Sequence, residues 1–136
     1  MLKKIKLIIA GSRTIRNSDN NLKNLTKIIE ELNWEIDEIF CGKAKGVDSL
    51  GEQFALKNDI PIRYFPALWS DLTIEPCKIR HRKDGTAYNI LAGHNRNEEM
   101  AKNADALLII HKNTNGSLDM LKRAKKYNLL IKEIKI

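Results

Sequence analysis

Short apolar, β-branched runs alternate with segments of helical periodicity along the whole chain, and few folds accommodate that alternation. Residues 5–10 form an apolar run closed by Gly11, as expected for a strand buried on both faces of a parallel sheet. The period then changes: Leu22, Leu25, Ile28, Ile29 and Leu32 recur at helical spacing behind the caps Ser18 or Asp19, and the helix stops near Asn33. A second round follows, with a strand over 36–41, a loop over 42–46 and a helix over 47–58 that has Asp48 or Ser49 near its start. A third strand is expected at 60–65, where Pro61 falls at the tolerant first positions. Helical character returns over 94–103, then a strand at 106–110, a loop at 112–115, a helix at 117–127 and a last strand from Leu129. Five strands alternating with four helices predict a Rossmann-like, doubly wound α/β fold: a mostly parallel five-stranded sheet with helices on both faces.

At 136 residues, 43% of them hydrophobic, the chain suits one domain spanning 1–136. Between strand three and the third helix lies an irregular insertion at about 67–93, holding Trp69, the basic cluster Lys78, Arg80, His81, Arg82 and Lys83, and an Asp84-Gly85 turn signal. A loop of that length is a lid over a site or a solvated excursion. No apolar run approaches the roughly 20 residues a membrane helix needs, so no membrane partner is expected. The basic start, Met1 to Lys4, leads straight into a strand rather than a cleavable leader, which places the protein in the cytoplasm. Cys41 and Cys77 then read as reduced thiols, and no His or Cys spacing suggests a metal. The net charge of +7 suits a phosphorylated or polyanionic partner, but Lys is spread along the chain and singles out no surface.

Ligands of open α/β sheets bind outside the carboxyl ends of the strands, and there the unusual residues gather. After strand one, Gly11 permits close approach, Ser12 offers a hydroxyl and an amide, and Arg13 offers a fork matched to phosphate. After strand two, Gly42-Lys43-Ala44-Lys45-Gly46-Val47-Asp48 opens onto a helix N-terminus that favours an anion. Asp48 reads most simply as that helix's N-cap, and alternatively as an acceptor for a sugar hydroxyl. Arg96-Asn97 places a basic and an amide side chain at the next helix start, and Gly116-Ser117, beside Asn115, repeats the glycine-then-hydroxyl theme, with a cap by Asn115 or Ser117 as the simpler reading. Trp69 is either a stacking surface for a base or part of the core.

In order, the motifs are Gly-Ser-Arg after a strand, Gly-x-Ala-x-Gly-x-Asp, Phe-Pro-Ala-x-Trp, Ala-Gly-x-x-Arg-Asn-x-x-Met and Ala-Asp-Ala-Leu. As a set they resemble the YspA-related branch of the SLOG superfamily, known from bacteria and phages, over nearly the whole chain. The superfamily also holds cytokinin-activating phosphoribohydrolases and the DNA-processing protein DprA. The resemblance implies a nucleotide or nucleotide-derived, ADP-ribose-like ligand, held by a sensor or sequestering protein that forms homo-oligomers, with no cofactor. It assigns ligand contacts to Gly11, Ser12, Arg13, Gly42, Gly46, Asp48, Arg96, Asn97, Gly116 and Ser117. Lys43 stands where relatives carry a second glycine, so it adds a phosphate contact or narrows the pocket. Met120 stands where the hydrolases carry their catalytic glutamate, and a thioether moves no proton. Binding is therefore the expected role; N-glycosidic hydrolysis, with Asp48 or Asp119 substituting, and single-stranded nucleic-acid binding are the alternatives. With only 6% aromatic residues, base stacking along a strand is poorly provided for.

Overall fold

A computed structural model describes residues 4–136, so the start of the basic N-terminus, residues 1–3, lies outside the described residues. The principal sheet has the order β3-β2-β1-β6-β7 and every pairing in it is parallel. Its strands are β1 (Ile5–Gly11), β2 (Ile36–Cys41), β3 (Ile62–Tyr64), β6 (Ala106–His111) and β7 (Leu130–Lys135). The helices are α1 (Asp19–Leu32), α2 (Val47–Lys57), α3 (Ala92–Asn103) and α4 (Asn115–Lys126). This is the doubly wound arrangement expected from the alternation, and side-chain parity shows why consecutive residues of the central strands are apolar on both faces. Leu7, Ile9, Ile39 and Leu108 face α1 and α2, whereas Ile8, Phe40, Leu107 and Ile109 face α3 and α4.

Local chemistry sets the boundaries. Ser18 caps α1 by accepting from the Asn21 amide at 3.2 Å, and Asn33 closes it in the left-handed region at φ 54°. β3 is shorter than the expected 60–65: Pro61 has no donor, and the Ile60 amide is already spent on the Ala55 carbonyl at 2.9 Å. The insertion is not wholly irregular either. β4 (Ile79–His81) and β5 (Ala87–Asn89) pair antiparallel around the Asp84-Gly85 turn, with Gly85 at φ 89° and the Thr86 amide donating to Asp84 Oδ1 at 2.9 Å. The two cysteines are free; burial pushes the Cys41 thiol up to about 11. No helix among the described residues is long and apolar enough to cross a membrane.

Glu98 joins α3 to α4, accepting from Lys126 Nζ at 2.9 Å and the Tyr127 hydroxyl at 3.2 Å, with Arg123 Nη1 at 3.4 Å. The Lys126 hydrogen bond, more than any other contact, holds its carboxyl below the ordinary carboxylate value. A depressed folded pKa gives stability that is present above the unfolded value of 4.5 and lost as pH falls through the folded one. Glu98→Gln is therefore expected to cost about 1 kcal/mol near neutrality, and urea midpoints should show the deficit closing below that pH.

Candidate functional site

The strand order reverses between β1 and β6, and a cavity of about 420 Å³ opens at their carboxyl ends. Its floor is apolar: Ala10, Met100, Ile109 and Met120 line it. Gly11 is fixed in place by β6, because a Cβ there would overlap the Ile110 carbonyl. The turn after it is wedged between two elements. The Ser12 amide donates to the Ile110 carbonyl at 2.8 Å and the Ser12 carbonyl accepts from the Val47 amide at 3.1 Å. Ser12 is thus buried, and its hydroxyl is shared with Thr14 at 2.8 Å. The expectation that Ser12 offers its amide fails because β6 uses it; Arg13 and Thr14 are the exposed residues of this turn, and among the described residues Arg13 makes no ion pair.

Asp48 differs from its simplest reading. The N-cap of α2 is Gly46, at φ 77°, and Asp48 sits one residue inside the helix, 5% exposed. Its Oδ2 accepts from the Ala44 amide at 3.3 Å. Burial pushes its carboxyl above the ordinary value, against the opposing pull of Arg96, the Ala44 amide, Arg13 and the Gly11 amide. Burial also lowers the Arg96 guanidinium from its usual value, and Asp48 offsets part of that. α3 begins at Ala92 rather than 94, so Arg96 lies in its second turn and reaches across to donate from Nη1 to the Gly42 carbonyl and from Nε to Asn97 Oδ1, the latter at 3.0 Å. Glycine at 42 lets both side chains close in: a Cβ there would stand 2.7 Å from Asp48 Oδ2 and 2.8 Å from Arg96 Nη1, so one or both ends would have to shift.

Asn97 is engaged as well. Its Nδ2 donates to Asp119 Oδ2 at 3.0 Å, and Asp119 also accepts from Arg123 Nε at 2.9 Å. Asp119 therefore turns toward α3 and its own helix, leaving Asp48 as the carboxylate that lines the cavity among the described residues. α4 starts at Asn115 behind Thr114, so neither Asn115 nor Ser117 is its cap. Its first helical bond runs from the Leu118 amide to the Thr114 carbonyl at 2.9 Å, leaving the amides of Asn115, Gly116 and Ser117 without an intrahelical acceptor.

Of the residues singled out in the sequence, Gly11, Ser12, Arg13, Asp48, Trp69, Arg96, Asn97, Gly116 and Ser117 come together around this cavity. Gly42, Lys43 and Gly46 do not line it. Lys43 turns outward at φ 63°, pairing with Glu52 at 3.2 Å and lying over the Tyr64 ring. Lys112 and Thr114 line the cavity and were passed over, although their place after the fourth strand of the main sheet was the available signal. His94, 3.9 Å from Asp119, and Ile90 are further lining residues with no distinctive local pattern.

Fold and cavity together define a doubly wound α/β domain with a ligand-sized cleft at its topological switch point. Among solved structures, the chain is similar to DNA processing protein A (DprA) from Streptococcus pneumoniae, with a TM-score of 0.66 and 21% identity over 97% of this chain. That likeness shows a shared fold, and the chain corresponds to 50% of the length of that DprA chain. No protein-family model matches the chain. No curated protein matches it.

Proposed function

We propose that this domain binds a nucleotide or nucleotide-derived ligand of the ADP-ribose type, as the resemblance to the SLOG superfamily suggests. The observation that carries the reading is the composition of one cavity: Arg13, Lys112 and the open first turn of α4 at an apolar floor. Cations and free helix amides suit a phosphate, and the Met100, Ile109 and Met120 floor suits a base or sugar face. Binding rather than cleavage is favoured because Met120 occupies the cavity wall and Asp48 is held among Arg96 and two amides. Thermal-shift measurements with AMP, ADP-ribose and cyclic ADP-ribose test this. A ligand at a hundredfold excess over its Kd should stabilise by about 2.7 kcal/mol. Arg13→Ala with Lys112→Ala should weaken binding by at least roughly a hundredfold, since each charged contact contributes on the order of 1.5–3 kcal/mol. Absence of stabilisation by all three ligands contradicts the reading.

Single-stranded nucleic acid is the second reading, supported by the β4–β5 hairpin, where Lys78, Arg80 and Lys83 make no ion pair among the described residues, and by the DNA-processing name of DprA. It requires oligonucleotide binding that weakens steeply with salt and is lost on charge reversal of those three residues.

A further inference from the structure

We propose that recognition of a base in this cavity is set by Asn89, which acts as a positioning residue for Trp69. The proposal rests on the nucleotide reading above. Trp69 lines the cavity yet is 36% exposed, so this large aromatic is not consumed by the core. It comes from the insertion, a segment outside the strands of the principal sheet. What holds it is Asn89, which is 1% exposed. The Asn89 amide donates to the Trp69 carbonyl at 2.8 Å. Its side-chain Oδ1 accepts from the amides of Lys78 and Leu91, both at 3.0 Å, and its Nδ2 donates to the Pro76 carbonyl at 3.4 Å. The buried side-chain amide thus gathers three points of the insertion, at Pro76, Lys78 and Leu91, and so fixes the backbone N–H of the same residue that holds Trp69; Asn95 of α3 fastens the same Pro76 carbonyl at 3.0 Å.

The indole is bracketed in turn. Tyr88 meets it edge-on at 6.4 Å between centroids, and Gly93 leaves it room at the start of α3, where a Cβ would come within 3.4 Å of the ring. A rigid aromatic wall at the mouth of a cleft whose anion-binding groups lie on other loops divides the ligand. Arg13, Lys112 and the α4 turn take the phosphate, and Trp69 takes a planar base, for which stacking is a general attraction.

Titrations with AMP and with ribose 5-phosphate, which has the same phosphate and sugar but no base, separate these parts. In the Trp34→Phe background, Trp69 is the sole tryptophan and reports directly by its fluorescence. The wild-type chain should bind AMP at least roughly tenfold more tightly than ribose 5-phosphate, with quenching of Trp69 by AMP. Trp69→Ala and Asn89→Ala should each bring the two affinities to within about twofold while leaving that for ribose 5-phosphate unchanged, and Asn89→Ala should abolish the quenching. Should Asn89→Ala not fold, Asn89→Ser is expected to lower the same ratio. A wild-type ratio in Trp69→Ala, or in a folded Asn89 variant, overturns the proposal, as does equal binding of both ligands by the wild-type chain. Failure of both ligands to bind the wild-type chain instead removes the nucleotide reading beneath it.

Discussion

Replacing Arg96 by methionine is expected to destabilise the fold by about 3 kcal/mol near neutral pH, because it removes two charge-assisted hydrogen bonds, on the order of 1.5–3 kcal/mol each, beside the buried Asp48 carboxylate. Arg96 donates to the Gly42 carbonyl and to Asn97, and its charge is the strongest influence favouring an ionised Asp48. Without it, a carboxylate that is 5% exposed keeps the Ala44 and Gly11 amides and the solvent-facing Arg13. The pH dependence follows from the sign of the shift. Burial already raises Asp48 above its unfolded value of 3.8, so stability is full below that value and declines as pH rises through the folded pKa. Arg96→Met raises the folded pKa further. The loss relative to wild type should therefore be largest near neutrality and shrink toward pH 4. Adding Asp48→Asn should recover part of it, because an amide keeps an acceptor for the Ala44 amide and carries no buried charge. Urea unfolding at two pH values checks all three statements; a pH-independent loss, or none recovered in the double variant, contradicts them.

Gly11→Ala is the second large effect. A Cβ at residue 11 overlaps the Ile110 carbonyl, which is backbone of the adjacent strand and also the acceptor of the Ser12 amide. No side chain can swing aside, so β1 and β6 must separate where they carry the cavity. Overpacking of this kind, on top of an unusual backbone conformation, is expected to cost about 3 kcal/mol. Chemical denaturation should show that loss together with loss of ligand-induced stabilisation; a wild-type midpoint contradicts the described packing.

The layers of the fold were legible because β1 and β6 are buried on both faces and, apart from Lys6 and His111, carry only apolar residues and a closing glycine, while α1 shows its stripe and its Ser18 cap openly. The hairpin was not: β4 consists of three exposed residues and β5 of three, too short for any periodicity, and only the Asp84-Gly85 turn marked them. Of the two readings of Asp48, the cap is overturned, because aspartate near a helix start caps so well that a buried position leaves no local trace; the alternative of a ligand contact stays open, since Asp48 lines the cavity. The charge that most favours its ionised form, Arg96, is 48 residues away in the sequence, by the difference of the two positions. Lys43 and the Ser12 amide are likewise claimed by contacts with no local trace, Glu52 for the one and the Ile110 carbonyl for the other, while Ser12 itself still lines the cavity. Asn89 had no signature at all, as a polar residue on a loop is ordinarily solvated and only the closed insertion buries it.

The most direct measurement is an amide-resolved NMR titration of the isotopically labelled chain with AMP and with ADP-ribose. The expected result is a saturable response concentrated at Arg13 and Thr14, at Lys112, and at the free first-turn amides of Asn115, Gly116 and Ser117, with the Trp69 indole following. Saturating ligand that moves none of these signals, or moves only resonances distant from the β1–β6 switch point, contradicts nucleotide binding in this cavity.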